Sequence, residues 1–359
     1  MKRYIALPVL SSLLLAGCLP EAKAKPSAAQ QVAAPVQQAG PQAVLSAAPT
    51  APEATRTTLT LSKAPDQTTS VQYHIWRTAD GQASKQVIAS QDAKAGFPVT
   101  LSLQQFGSKR GEYQIEVYKE GTAKPIAASS VVFQPHVPIL MYHAVDEYKG
   151  KGLKGLFVPP ASFEAQMQYL KDNGYTLLTF ERWKDVAKVN KPIFVTFDDG
   201  MKNNMNAFRI LQKLKDEKFQ PTATEYAIVN VLGTSDEWLS KQDVKEMIDS
   251  GIFSVQSHTI SHADLPQIKS YDVELGEAKK QLEAITGKPV ISIAYPFGHY
   301  NEQVIAEASK YYQFAVTTKP GQFIQAGKPN EMLLMQRVRI QNDTTIEQFA
   351  HLVQEKLLP

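Results

Sequence analysis

From Val137 onward, apolar runs of strand length alternate with amphipathic runs of helical length. This alternation constrains the chain more than any other feature. Strands joined through helices lie parallel, and a parallel sheet needs helices to cover its faces. The expected strands are 138–142, 175–179, 193–197, 223–229, 253–257, 290–295 and 314–318. The expected helices are 162–173, 205–218, 240–250, 271–286, 301–310 and 346–357. Gly174 and Gly251 follow helices at the position where a left-handed residue is expected. A run of about 220 residues is long enough to close as a barrel, and functional residues then collect at the C-terminal ends of its strands.

Three of those ends are unusual. Ile193–Phe197 runs into Asp198-Asp199-Gly200. Two adjacent carboxylates at the end of a buried strand repel, and a metal or a proton must relieve them. Gly200 permits a tight turn. Ser257-His258-Thr259-Ile260-Ser261-His262 carries two histidines four apart, which can face one point and bind one metal through ring nitrogens. Ala294-Tyr295-Pro296-Phe297-Gly298 is an irregular turn able to aim a backbone N–H into a site. Each has a plain reading: a surface turn, a packed histidine pair, a loop. Their coincidence at strand ends of one barrel points to a shared metal site.

The preceding residues differ sharply. Thr57–Leu61, Val71–Trp76, Val99–Leu103, Tyr113–Tyr118 and Ser130–Phe133 have strand period, with turn signals at Asp80-Gly81 and Lys109-Arg110-Gly111. Residues 57–134 therefore read as a small β-sandwich-like domain. Its Tyr73-His74-Ile75-Trp76 and Gly111-Glu112-Tyr113 pattern is similar to the Bsp-like repeat of surface proteins. His74 reads as a strand residue, not a ligand. Residues 18–56 are rich in Ala, Pro and Gln and hold no aromatic residue. Such a stretch buries too little apolar surface to offset its ordering entropy, and Pro26, Pro35, Pro41, Pro49 and Pro52 disfavour a helix. A disordered tether is expected there.

Residues 1–17 read as a signal peptide. Lys2 and Arg3 precede an apolar run, Ile5 to Leu15, that is too short to span a bilayer core of about 30 Å. Leu15-Ala16-Gly17-Cys18 resembles a bacterial lipobox, in which Cys18 becomes the lipidated first residue. An ordinary signal peptide with a chance cysteine is the alternative. Cys18 is the chain's one cysteine, which excludes an intramolecular disulfide and cysteine-based metal clusters. Without residues 1–17 the net charge falls from +3 to +1, since Lys2 and Arg3 leave, and no nucleic-acid partner is expected. At 43% hydrophobic and 20% charged residues, the chain is neither wholly disordered nor a multi-span membrane protein.

Thr196-Phe197-Asp198-Asp199-Gly200 together with Ser257–His262 resembles the NodB-homology polysaccharide deacetylases, carbohydrate esterase family 4. Pro138-Ile139-Leu140-Met141-Tyr142-His143 and Tyr295-Pro296-Phe297-Gly298 extend the likeness, which covers residues 135–359. Met141-Tyr142-His143 is closest to the branch acting on poly-N-acetylglucosamine. The resemblance implies an α/β chain, a deformed (β/α) barrel of the NodB type, preceded here by the small all-β sandwich-like domain. It implies removal of N-acetyl groups from an amino-sugar polymer. It implies one divalent metal, most simply Zn2+, with Co2+, Ni2+ or Mn2+ accepted by the same ligands.

Carried over residue by residue, Asp199, His258 and His262 hold the metal. Asp198 is the general base, and the Phe297 backbone N–H stabilises the oxyanion. Two departures stand out. The family's late Leu-x-His acid is replaced by Leu334-Met335-Gln336-Arg337, which leaves His143 as the acid and His351 as structural. The arginine that orients the base is missing upstream of Pro296, so Arg337 or Arg339 is expected to take its place from a late strand. Tyr142, Tyr295 and Pro296 are candidates for substrate contact, as is Tyr300. Lipid on Cys18 would anchor the enzyme to the cell membrane, facing the wall or exterior, with no protein partner implied. Two other readings compete. A facial-triad oxygenase leaves Asp198 without a role. A non-catalytic glycan-binding lipoprotein leaves Asp198 and His143 unexplained.

Overall fold

The structure, a computed structural model, describes residues 43–48 and 50–354. The signal-peptide reading, Cys18 and most of the tether lie outside the described residues. Among the described residues no helix is long and apolar enough to cross a membrane.

Two antiparallel sheets form the first domain. One has strand order β1 (Val44–Ala47), β2 (Arg56–Ser62), β5 (Val99–Ser102). The other has order β4 (Gln86–Ser90), β3 (Val71–Arg77), β6 (Gly111–Lys119), β7 (Ala127–Phe133). Alternate residues of both sheets meet in one core that includes Leu59, Tyr73, Ile75, Tyr113, Ile115 and Phe133. Part of the segment expected to be a tether is folded: Val44–Ala47 pairs with Leu59–Ser62 and Leu45 packs on the core. Val44-Leu45 is the one adjacent pair of large aliphatic residues in 18–56. The buried Arg110 then holds the carbonyls of Pro52, Glu53 and Ala54.

Arg77 ties this domain to the next, donating to the Arg110 carbonyl and to Asn190 Oδ1. The Glu112 N–H donates to the Ala187 carbonyl at 2.6 Å. A Cβ on Gly111 would stand 2.8 Å from that carbonyl oxygen, so only glycine allows the approach.

The second domain is a closed ring of seven parallel strands. They are β8 (Ile139–Tyr142), β12 (Pro192–Asp199), β13 (Ala223–Ala227), β14 (Phe253–Ser257), β15 (Ser292–Ala294), β16 (Phe314–Pro320) and β17 (Met335–Arg339). β17 closes the ring by pairing with β8. The expected strand at 175–179 is not a stave. As β11 (Thr176–Leu178) it pairs with the first half of β12 outside the ring, where β8 takes the second half. The closing stave is Met-Gln-Arg-Val-Arg, too mixed in polarity to stand out by pattern. β9 (Ala144–Val145) and β10 (Phe157–Val158) pair beside the barrel and bracket a loop. Outside lie α1 (Pro160–Asp172), α2 (Asn204–Leu214), α3 (Lys241–Asp249), α4 (Ala278–Thr286), α5 (Glu302–Ala308) and α6 (Ile346–Val353). Reciprocal Ser240–Asp243 and Thr345–Gln348 boxes start α3 and α6. Gly174 and Gly251 take φ of 68° and 72° after α1 and α3.

β12 shows how the barrel is divided. Ile193, Val195 and Phe197 face the helices. Phe194 faces inward to meet Tyr226, Phe314 and Met335, and Phe180, Trp183 and Phe323 close that end. Each buried aromatic contributes about 1.5–3 kcal/mol. The N-terminal half of the interior is thus a packed plug. Polar chemistry is confined to the other half, where Thr196 and Asp198 continue the inward series.

Candidate active site

Asp198 is 3% exposed, and Arg337 opposite it is 0% exposed. The guanidinium donates to both carboxylate oxygens, at 2.7 Å each. Its remaining donors reach the Thr317 carbonyl at 2.9 Å and Thr196 Oγ1 at 3.2 Å. Burial by itself would raise the Asp198 pKa. The Arg337 charge and hydrogen bonds, helped by His258 and His143, outweigh it and hold the carboxyl well below its usual range. Asp198 is therefore an anion fixed in one orientation by a two-toothed clamp.

The next residue points elsewhere. Asp199 has φ 82°, Gly200 has φ 84°, and this turn swings the second carboxylate out of the strand's alternation. Its Oδ1 lies 3.4 Å from His258 Nε2 and 3.8 Å from His262 Nε2. One ligand atom from each of the three residues lies within 4.8 Å of the others. His258 Nδ1 meets the Ala294 carbonyl at 2.8 Å. A carbonyl only accepts, so Nδ1 carries a proton and Nε2 is the atom turned toward Asp199, the orientation of a metal-ligating histidine. Burial opposes the charged ring, but the Asp199 hydrogen bond and the two carboxylates outweigh it and raise the His258 pKa. Burial opposes ionisation of Asp199, but the His258 hydrogen bond and charge outweigh it and lower its pKa. Burial and the neighbouring His258 lower the His262 pKa, keeping its ring neutral and able to ligate. The donor set fits a divalent metal with open positions.

The turns that carry the site residues hold left-handed backbone. Four of the ten described non-glycine residues with positive φ are Asp199, Thr259, His262 and Phe297. Such conformations cost on the order of 1–3 kcal/mol each and persist where surroundings impose them. Thr259 Oγ1 accepts from the His262 N–H at 3.0 Å. The Glu274 carboxylate takes the N–H groups of Ile260 and Ser261 and the Ser261 hydroxyl. Glu225, fully buried on β13, accepts from the Gly200 N–H at 3.0 Å and from Asn204 Nδ2. Burial pushes the Glu225 pKa well above the usual range. Sequence reasoning missed both glutamates. An acid inside the apolar strand Ala-Thr-Glu-Tyr-Ala was the available signal.

His143 follows β8 at the same end. Burial lowers its pKa, Asp198 and Asp199 pull the other way, and the net value stays below normal, so the ring is neutral near pH 7. Phe297, at φ 60°, is 55% exposed, and its ring meets the His262 ring edge-on at 4.4 Å. Among the described residues its N–H has no hydrogen-bond acceptor, as a donor kept for a ligand requires.

Other expectations need correction. Tyr142 is 1% exposed, stacks on Phe197 and donates to Gln166 Oε1. It alternates away from His143 into the helix layer and is core. Tyr295 is 1% exposed and Pro296 is also buried, so neither offers a face to a ligand. The Tyr300 ring lies 5.7 Å from that of Tyr295, at 38% exposure. Of the two candidate arginines only Arg337 reaches Asp198. Arg339, on the same inward face, stands exposed at the rim, where its charge adds to the depression of the His143 pKa. His351 lies on α6, exposed.

Comparison with known proteins agrees with this geometry. Residues 185–314 match the family described as polysaccharide deacetylase. The Bacillus subtilis protein YxkH, named for that activity, is 32% identical over 261 residues, 70% of this chain and 87% of its own. A solved polysaccharide deacetylase from Bacillus cereus is 56% identical, covers 88% of this chain and 100% of its own, and superposes with a TM-score of 0.85. The poly-beta-1,6-N-acetyl-D-glucosamine N-deacetylase of Staphylococcus aureus is 27% identical over 191 residues, 47% of this chain and 64% of its own. Fold and site thus define a hydrolase of the deacetylase class. The chain belongs to the polysaccharide deacetylase family.

Proposed function

We propose that the enzyme removes N-acetyl groups from an amino-sugar polymer outside the cell, poly-N-acetylglucosamine or peptidoglycan, using one divalent metal, most simply Zn2+, held by Asp199, His258 and His262. The observation carrying this reading is the Asp198–Arg337 clamp, which leaves an ionised, oriented base beside a three-ligand metal set. The bound ion supplies Lewis-acid polarisation of the acetamide carbonyl and makes water reactive near neutral pH. Asp198 accepts the proton of the attacking water as the oxygen–carbon bond forms. Arg337 holds both its oxygens so that the lone pair stays aimed. The Phe297 N–H donates to the oxygen on which charge develops. The proton taken from water is the one the departing amine nitrogen needs, and His143, neutral at rest, takes it up and passes it on. The carbon–nitrogen bond then breaks to acetate and a free amine.

Location is part of the same reading. Lipid on Cys18 would tie the enzyme to the membrane beside its polymer. Labelled fatty acid incorporated into the wild-type chain and not into Cys18→Ser would support it, and equal labelling would overturn it. The reaction is tested by acetate release from β-1,6-linked and β-1,4-linked N-acetylglucosamine oligomers, peptidoglycan fragments and acetylated xylan. Asp198→Asn is expected to lower release by about 10²–10⁴-fold. Absence of release from every amino-sugar polymer by metal-loaded protein would overturn the substrate assignment.

A further inference from the structure

The loop 258–262 carries two of the three proposed metal ligands, and every backbone N–H in it has a partner. The His258 N–H donates to the Ala227 carbonyl, and the Thr259 N–H to Ser257 Oγ. The His262 N–H turns back to Thr259 Oγ1. The two between them, on Ile260 and Ser261, both donate to Glu274 Oε2, at 3.1 and 3.0 Å. The Ser261 hydroxyl donates to Oε1 of the same carboxylate at 2.6 Å. We infer that Glu274 is a positioning residue for His262 and sets how tightly the enzyme holds its metal. The inference rests on the deacetylase reading, in which His262 is a ligand.

The two histidines are aimed by different means. His258 is buried, and its Nδ1 is fixed on the Ala294 carbonyl. A ligating ring is usually held this way, through its second nitrogen. Among the described residues the His262 ring has no such bond. Its Nε2 stands 3.8 Å from Asp199 Oδ1, and the Phe297 ring packs on it edge-on. Its direction therefore comes from the backbone, which takes φ of 67° at Thr259 and 58° at His262. Left-handed backbone at a threonine and a histidine persists where the surroundings impose it. Glu274 is the charged group that does so. One carboxylate oxygen shared by two successive N–H groups fixes their relative orientation, and with it the turn that ends at His262.

Glu274 is itself held where a helix departs from α geometry. Asp272–Glu277 is a turn of π-helix leading into α4. Such turns are rare and recur at functional sites, and the wider turn changes where its side chains point. Tyr311, between α5 and β16, packs on it. The Tyr311 hydroxyl donates to Asp272 Oδ1 at 2.6 Å. A Cβ on Gly276 would stand 2.9 Å from Tyr311 Cε1, so any side chain there would displace the ring. On the buried side the Tyr312 hydroxyl donates to the Leu275 carbonyl at 2.7 Å. The two tyrosines thus hold the π-turn, the π-turn presents Glu274, and Glu274 sets the loop.

The test measures Zn2+ affinity by competition with a chromogenic chelator, beside the melting temperature of the metal-free chain. Glu274 is half-buried, so its replacement leaves the core intact. Glu274→Ala is expected to weaken Zn2+ binding by about 10–100-fold. Its metal-free melting temperature should stay close to that of the wild type, and kcat should return in excess Zn2+. Glu274→Gln keeps an acceptor for the two N–H groups and a donor for Ser261 Oγ, so it is expected to bind within about threefold of wild type. Co2+ in place of Zn2+ gives visible absorption bands that follow ligand geometry. These should shift in Glu274→Ala and not in Glu274→Gln. Equal Zn2+ affinity in wild type and Glu274→Ala would overturn the inference and leave the deacetylase reading standing. Weakened binding together with a large fall in the metal-free melting temperature would make Glu274 merely structural and would also overturn it. A wild-type chain that binds no divalent ion would overturn the metal reading itself, and this inference with it.

Discussion

The two domains use strands in opposite ways. In the sandwich, alternation is obeyed almost literally: β3 and β6 send every second side chain into one apolar core. In the barrel, alternation holds through the plug and then breaks at the C-terminal rim. Asp199 turns out of β12, His262 and Thr259 adopt positive φ after β14, and Phe297 does so after β15. Apolar burial stabilises both domains. Positive-φ residues occur in both, in the sandwich at the turns of Lys63, Gln67, Phe97 and Ser108, but only at the rim do they carry adjacent carboxylates, ligand histidines and a free backbone donor. Rigidity in one region is an end in itself, and in the other it is the means of imposing an unfavourable arrangement.

If that contrast is right, substitutions at the rim should act on turnover, and those in the sandwich on stability alone. The largest effect is expected from His262→Ala, which removes a metal donor. Acetate release should fall by at least about 10²-fold, with less metal retained after dialysis. Full activity and full metal content would break the comparison. Arg337→Met should come next. It strips Asp198 of its buried partner, costs about 3–5 kcal/mol of stability by denaturant unfolding, and lowers release by roughly 10²-fold. Arg339→Ala, lacking contact with Asp198, is expected to do neither.

Glu225→Gln tests the support beneath the turn. The native carboxyl has a raised pKa, so it contributes most to stability below the unfolded value of about 4.3. That contribution is lost as pH rises toward the folded value, because the unfolded chain ionises first. Melting temperatures of wild type and Glu225→Gln should therefore diverge in favour of the variant between pH 5 and 8. A constant difference would mean the carboxyl titrates normally. The smallest effect on activity is expected in the sandwich. Ile115→Ala should cost about 2–5 kcal/mol in unfolding and leave kcat unchanged.

Much of the site was legible because its ligands fall at strand ends marked by residues that strands otherwise avoid. Asp198-Asp199-Gly200 and the spaced histidines announce themselves within a few positions of sequence. Glu225 and Glu274 did not, since each acts on backbone N–H groups of a distant loop. Tyr142 and Tyr295 misled because aromatic rings close to the site in sequence suggest stacking on a sugar, whereas strand phase decides which face they occupy.

Sequence alone determined the alternating α/β pattern, the sandwich strands and the two clusters that carry charge at the rim. These follow from local periodicity and from side chains too costly to bury without purpose. Tertiary structure alone decided which strand closed the ring and which arginine faced Asp198. Arg337 and Asp198 are 139 residues apart. Their bond depends on β17 pairing with β8 in one register, and a single-residue slip would turn the guanidinium to the outer face. No local pattern encodes such a pairing, because it is fixed only when all seven staves meet.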